Sequence, residues 1–321
     1  METVPFLFLD SIYALLSKSS IKNLSKIDEK CLEFISSDYL NKIESFMFET
    51  GATGDSFHYQ LSFGFHDNRE FKEVKRMDRR YLRLESFTYI DIQGYGTTSV
   101  EREELLEVID FAFEHLNRDC GLHLTGNDLH FNRILYPKLH GIDTFRRVSM
   151  RYPCEDSIQL LENYINSSST RKFITLGGND WPQTIIPCLK KVVFLPSLYR
   201  LDVDRTTLTF ELPFFKEIIN TWKAGNLGWP AEVEGGVFAR FPFERQTLAS
   251  ELESAINIEG SICYLLRHPS KSKQNLLIRF IENAIQFQHL ICLCGSEFFG
   301  KPELFCKIFR VNAAYHSTLN L

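Results

Sequence analysis

No stretch of the 321 residues runs apolar for the roughly 18 positions that a membrane-spanning helix needs. Excess positive charge is missing as well: 36 Lys and Arg stand against 41 Asp and Glu, a net charge of −5. Nucleic-acid binding driven by phosphate neutralisation is therefore not expected. The common nucleotide and catalytic signatures are absent. There is no G-x-x-x-x-G-K-S/T loop, no G-x-G-x-x-G after a strand, no H-E-x-x-H and no G-x-S-x-G elbow. Cys292-Leu293-Cys294 with Cys306 resembles half a zinc site, but no second pair stands at zinc spacing. No metal and no cofactor is expected. The eight cysteines are spread thinly, and a chain this long can build its core without staples, so reduced thiols are expected. The N-terminal METVPFLFLDSIYALL has Glu2 where a basic leader would be and no small-residue cleavage site. It reads as a folded helix of a cytoplasmic or nuclear protein, not a secreted one.

What is present is an ordinary globular composition, 44% apolar and 24% charged, which excludes global disorder. Phenylalanine is unusually frequent, at 28, against 4 Met and 3 Trp. The length suggests about two domains. Residues 1–50 read as helical. Pro5 suits a first helical turn, and Ile12 and Leu16 continue a four-residue spacing. Ile21, Leu24 and Ile27 follow at spacing three, and Leu32 to Ile43 suggests a third helix. The cluster Gly51 to Asp55 reads as a turn and a domain boundary. A βα-repeat domain is expected over 56–285, and an irregular tail over 286–321.

The repeat reading rests on five segments. These are Phe87-x-x-Ile90-x-Ile92, Asp119-x-x-Leu122-x-Leu124, Phe145-x-x-Val148-x-Met150, Arg171-x-x-Ile174-x-Leu176 and Leu198-x-x-Leu201-x-Val203. Their central positions, 90, 122, 148, 174 and 201, are spaced 32, 26, 26 and 27 residues apart. This is at or just above a leucine-rich-repeat period. Leu124-Thr-Gly-Asn-Asp-Leu129 is echoed by Leu176-Gly-Gly-Asn-Asp-Trp181. In both, Gly is expected to turn the chain and Asn or Asp to cap the next helix. Helices are expected over Val100 to Leu116, Ser157 to Ile165, Gln183 to Val193 and Pro213 to Trp222, the last three capped by Asp156, Asp180 and Thr209. Farther on, Val233 to Phe241 reads as a strand and Phe243 to Ile256 as a helix. Ser261 to Arg267 and Asn275 to Phe280 read as a closing hairpin. The expected fold class is α/β: a short helical head, then an irregular βα solenoid with parallel strands and a C-terminal cap.

Strand alternation selects an outward face if the fourth and sixth positions point inward. The face residues are then Tyr89, Asp91 and Gln93; Gly121, His123 and Thr125; Arg147, Ser149 and Arg151; Phe173, Thr175 and Gly177; Arg200, Asp202 and Asp204. Aromatic and arginine side chains are the usual anchors of interfaces, which singles out Tyr89 and Phe173 with the three arginines. No catalytic residue is expected.

Val4-Pro5 followed by Ile12, Leu16, Ile21, Leu24 and Ile27 resembles a degenerate F-box. Phe6 to Leu9 departs from that pattern's acidic start, and Cys31 or Phe34 stands where a Trp is common. Thr207 to Gly225 and Tyr264 to Phe280 are similar to segments of nematode F-box and F-box-associated proteins. The resemblance implies a head that docks on a Skp-family adaptor of a cullin–RING ubiquitin ligase through Pro5, Ile12, Leu16, Ile21, Leu24 and Ile27. The repeat face would then select a target protein. Three other readings stand beside it: a non-catalytic scaffold whose head is only a helical cap, an enzyme of unrecognised type, and an ordinary α/β layer fold.

Overall fold

The structure is a computed structural model that describes residues 12–13, 16, 18–24, 39–53, 56–64, 67–90, 97–142, 144–167, 171–229, 235–250, 252, 255–258, 261–270 and 274–291. The chain divides into two compact units, Met1–Ser169 and Thr170–Leu321. Both are open, mixed α/β sheets.

Unit 1 contains strands β1 (Glu44–Thr53), β2 (Ser56–Ser62), β3 (Leu82–Tyr89), β4 (Thr98–Val100), β5 (Leu116–Leu124) and β6 (Arg147–Met150). Its strand order is β4-β2-β1-β3-β5-β6. The run β1-β3-β5-β6 is parallel, and β2 and β4 add antiparallel strands at one side. The described helices of this unit are α1 (Lys18–Leu24), α2 (Phe71–Val74), α3 (Arg102–Glu114), α4 (Leu129–Leu139) and α5 (Asp156–Asn166). In α3, Leu105, Val108, Ile109, Phe111 and Ala112 are buried at helical spacing, and Glu103 and Glu104 complement the dipole at its first turn. Asp128 caps α4 by accepting the Phe131 N–H at 2.7 Å. α3 and α4 pack on the strand face that carries Phe48, Phe87 and Tyr89. Ring centroids lie 5.0 Å apart for Phe87–Phe113 and 4.6 Å for Tyr89–Phe131. The abundant phenylalanines fill this interface between helix and sheet.

Unit 2 contains β7 (Lys172–Gly178), β8 (Leu198–Thr206), β9 (Gly236–Arg240), β10 (Ala255–Ile258), β11 (Ser261–Arg267), β12 (Gln274–Ile281) and β13 (Ala284–Ile291). The order is β7-β8-β9-β13-β12-β11-β10. β7, β8 and β9 are parallel, and everything beyond β9 is antiparallel. The described helices are α6 (Ile186–Val193), α7 (Leu212–Lys223) and α8 (Arg245–Ala249). Pro213 lies in the first turn of α7, where its missing N–H costs nothing. Trp229 donates its indole N–H to the Val193 carbonyl at 2.6 Å, and His289 Nδ1 lies 2.8 Å from the Trp229 carbonyl. Gly236 sits at φ 135°, and a Cβ there would fall 2.0 Å from the Phe287 carbonyl oxygen of β13. Only glycine fits at that crossing.

Several expectations hold. Leu122 pairs in register with Val148, Leu124 with Met150, and Ile174 with Leu201. The hairpin of β11 and β12 forms as expected. Others need correction. β1 begins at Glu44, so residues 44–50 belong to the sheet rather than to a helical head; of the expected turn, Gly51 to Thr53 are still in β1, paired with β2, and 54–55 lie outside the described residues. The expected helix over 243–256 is only α8, followed by β10; Ile256 and Ile258 continue a strand's alternation. The expected tail opens with β13, and 292–321 lies outside the described residues. The first repeat strand is out of phase: Phe87, not Ile90, is the partner of Leu122, and Tyr89 that of Leu124.

Candidate functional site

The register places one side chain of each of five unit 1 strands in a single row. Gln60 of β2 faces Glu49 of β1, which faces Thr88 of β3, then His123 of β5 and Ser149 of β6. A second row runs Ser62, Met47, Ser86, Gly121, Arg147. Both lie on the face opposite Phe87 and Tyr89, because side chains alternate across a strand. Glu49, Thr88, His123 and Ser149 are half-buried, Arg147 is exposed, and Met47 is an exposed large apolar side chain at 37%. Arg151, just past β6, is exposed as well. The His123 imidazole leans over Gly121: a Cβ on Gly121 would lie 3.2 Å from Nε2. Burial, and then the Arg147 charge, hold His123 below the ordinary histidine range, which favours a neutral ring on this face at neutral pH.

The corresponding row of unit 2 is Thr175, Asp202, Phe238, Gln286, Arg279 and Cys263. It differs in being largely buried: Asp202, Phe238, Gln286 and Cys263 are all inside. Arg200 Nη2 bonds Asp202 Oδ2 at 2.6 Å, and its guanidinium lies over the Phe238 ring at 4.7 Å. Asp204, two residues on, is pushed up to about 6 by burial and by the Asp202 carboxylate beside it. Asp202 Oδ1 and Asp204 Oδ1 are both buried without a hydrogen-bond partner, as is Arg279 Nε. Phe173 does not stand out from this face as an anchor. Its ring stacks on Tyr199 at 4.0 Å and is buried.

The sequence-predicted site residues therefore separate. Tyr89 points into the core, because its strand is phased opposite to expectation and a one-residue slip exchanges the two faces. His123 is half-buried on the face opposite Tyr89, and Arg147 and Arg151 are exposed. Arg200 and Asp202 form an ion pair, with Asp202 buried. Pro5, Ile27 and Asp91 lie outside the described residues. Among the head residues, Ile21 is fully buried with Tyr13, Tyr39 and Ile43, and Leu16 and Leu24 pack against that cluster. Ile12 is half-buried. Arg83 of β3 reaches this cluster, donating from Nη2 to the Tyr13 carbonyl at 3.3 Å and from Nε to the Leu16 carbonyl at 3.4 Å. Sequence reasoning missed Glu49, Gln60 and Met47. The alternation Phe46-x-Phe48-x-Thr50 was their signal, hidden by assigning residues 44–50 to the head.

Among the described residues no three His, Cys, Asp or Glu side chains converge to hold a metal, and no helix is long and apolar enough to cross a membrane. Comparison of the chain with protein-family models, with curated proteins and with solved structures finds no match.

Proposed function

We propose that this protein is a non-enzymatic interaction module: an F-box-like substrate adaptor of a cullin–RING ubiquitin ligase, acting in the cytoplasm or nucleus. Its head docks on a Skp-family adaptor, and its sheet face selects a target protein. The observation that carries the interaction part is the pair of cross-strand rows in unit 1. They present Glu49, His123, Arg147 and Met47 side by side on a rigid parallel sheet, about 4.8 Å from strand to strand. β3, β5 and β6 as parallel neighbours support a leucine-rich-repeat-like stack, although β4, between β3 and β5 in the chain, lies beside β2 at the other side of the sheet. The ligase part rests on the resemblance of the first segment. Ile12 and the outer sides of Leu16 and Leu24 are the anchors for the adaptor, whereas Ile21 holds the head itself together.

One observation favours a second reading, a repeat scaffold with a helical cap. The head cluster packs against Tyr81, and Arg83 bonds its carbonyls, as a cap over the sheet would require. A pulldown of the full chain against Skp-family adaptors separates the two readings, with Ile12→Asp as the control and circular dichroism to confirm folding. Binding that the substitution abolishes supports the adaptor. No binding by a folded chain leaves the scaffold. On the target side, Arg147→Glu with Arg151→Glu should weaken capture of a partner without changing the melting temperature.

A further inference from the structure

We propose that Asp202 and Asp204 work as one proton-sharing carboxyl pair, a pH sensor built into the β8 face of unit 2. The two residues are two apart on β8, at the irregularity where its register against β7 shifts between Thr175 and Gly177, and the Asp202 carboxylate lies within hydrogen-bond reach of the Asp204 carboxyl. Each keeps one carboxyl oxygen fully buried and without a partner. Among the described residues the guanidinium bonded to the pair is that of Arg200, whose Nη2 holds the other oxygen of Asp202, while the charges of Arg205 and then Arg200 act on Asp204 from farther off.

The remaining groups around the pair do not complete the neutralisation. On β8 itself Arg205 is exposed. On β9, Arg240 donates from Nη1 to the Thr206 carbonyl at 3.0 Å, and Phe238 faces Asp202. On β7 the register partner of Asp202 is the uncharged Thr175. Farther along the row, Arg279 of β12 is separated from Asp202 by Phe238 and Gln286. A buried and a half-buried carboxyl thus stand side by side with one bonded guanidinium, on Asp202. Burial, and then the neighbouring Asp202 carboxylate, hold the proton on Asp204.

The consequence for folding has a definite sign. A carboxyl group whose proton is held more tightly in the folded chain contributes stability that is complete in acid, below the ordinary carboxylate range. That contribution is lost as the pH rises through the folded value. The β8 face is therefore tighter in mild acid than at neutral pH, where a second negative charge appears on it.

The test uses the full chain. Thermal unfolding is followed from about pH 5 to about pH 7.5 for the wild type and for Asp204→Asn, which cannot gain the charge. The variant's melting temperature minus that of the wild type should rise by about 3 °C or more across this range. A constant difference overturns the proposal. The carbon-13 titration of the Asp204 carboxyl in the wild-type chain decides the matter if the variant does not fold. A midpoint well above the ordinary aspartate range, moving down by half a pH unit or more in Asp202→Asn, supports a shared proton. An ordinary midpoint, or one that ignores Asp202→Asn, overturns it.

Discussion

The phenol ring of Tyr89 fills the space that a side chain on residue 126 would need: a Cβ on Gly126 would lie 2.3 Å from Tyr89 Cζ. The ring is held there from two directions. Its oxygen accepts the Asp128 N–H at 2.9 Å and donates to the Asp128 carbonyl at 3.3 Å, and its face packs on Phe131. A buried ring so fixed cannot step aside cheaply. Gly126→Ala should destabilise the chain by about 2 kcal/mol or more. Chemical denaturation checks this, and a second variant, Gly126→Ala with Tyr89→Leu, should cost much less than the sum of the single changes.

The two Gly-Asn-Asp turns look alike and do different work. Asp128 caps α4 through the Phe131 N–H, whereas Asp180 is exposed and the next helical turn begins beyond Pro182. Asp128→Ala should therefore cost about 1 kcal/mol. Asp180→Ala should stay within about 0.5 kcal/mol of the wild type. Paired urea titrations of the two variants would show the contrast directly.

Asn132 lies on the buried side of α4, and neither its amide nitrogen nor its amide oxygen finds a hydrogen-bond partner. A polar group desolvated in this way subtracts from stability, and an apolar side chain of similar shape removes the penalty. Asn132→Leu should raise the melting temperature by about 2 °C or more. Differential scanning calorimetry is the measurement.

His115 ends α3 and donates Nδ1–H to the Phe111 carbonyl at 2.7 Å, with its ring against Phe111 and Phe46. Burial is the main cause holding it below the ordinary histidine range. The folded chain therefore favours the neutral ring. Its contribution to stability is complete above the unfolded value of about 6.5 and is lost as the pH falls through the lower folded value. His115→Gln can keep the bond to Phe111 but cannot take up a proton. The variant should flatten the acid side of the stability profile, and melting curves from about pH 7 down to pH 4.5 would show this.

Much of the strand framework was legible in the sequence, since Leu122, Val148, Ile174 and Leu201 stand at repeat spacing and pair as that spacing implies. The phase of β3 was not. Phe87 and Tyr89 compete with Ile90 and Ile92 for the core, and both alternations are apolar, so periodicity has no basis for a choice. The contact that decides it, Tyr89 over Gly126, joins residues far apart in the chain. The acid pair was legible only in part. Arg200, Asp202 and Asp204 are alternate residues of one strand, and this was visible. The neighbours that complete this row, Phe238 and Gln286, arrive from strands beyond the repeat.

The reversal at β9 also limits how a chain like this can lengthen. β9 accepts a parallel neighbour in β8 and an antiparallel one in β13, with Gly236 pressed against the Phe287 carbonyl. A duplicated βα unit inserted ahead of β9 would meet strands running its own way and could join them in frame. One inserted after β9 would meet a strand of opposite polarity and would also displace the backbone that Gly236 alone admits. Growth by tandem duplication in this half of the chain is therefore directional: new units have room upstream of residue 236 and none immediately downstream.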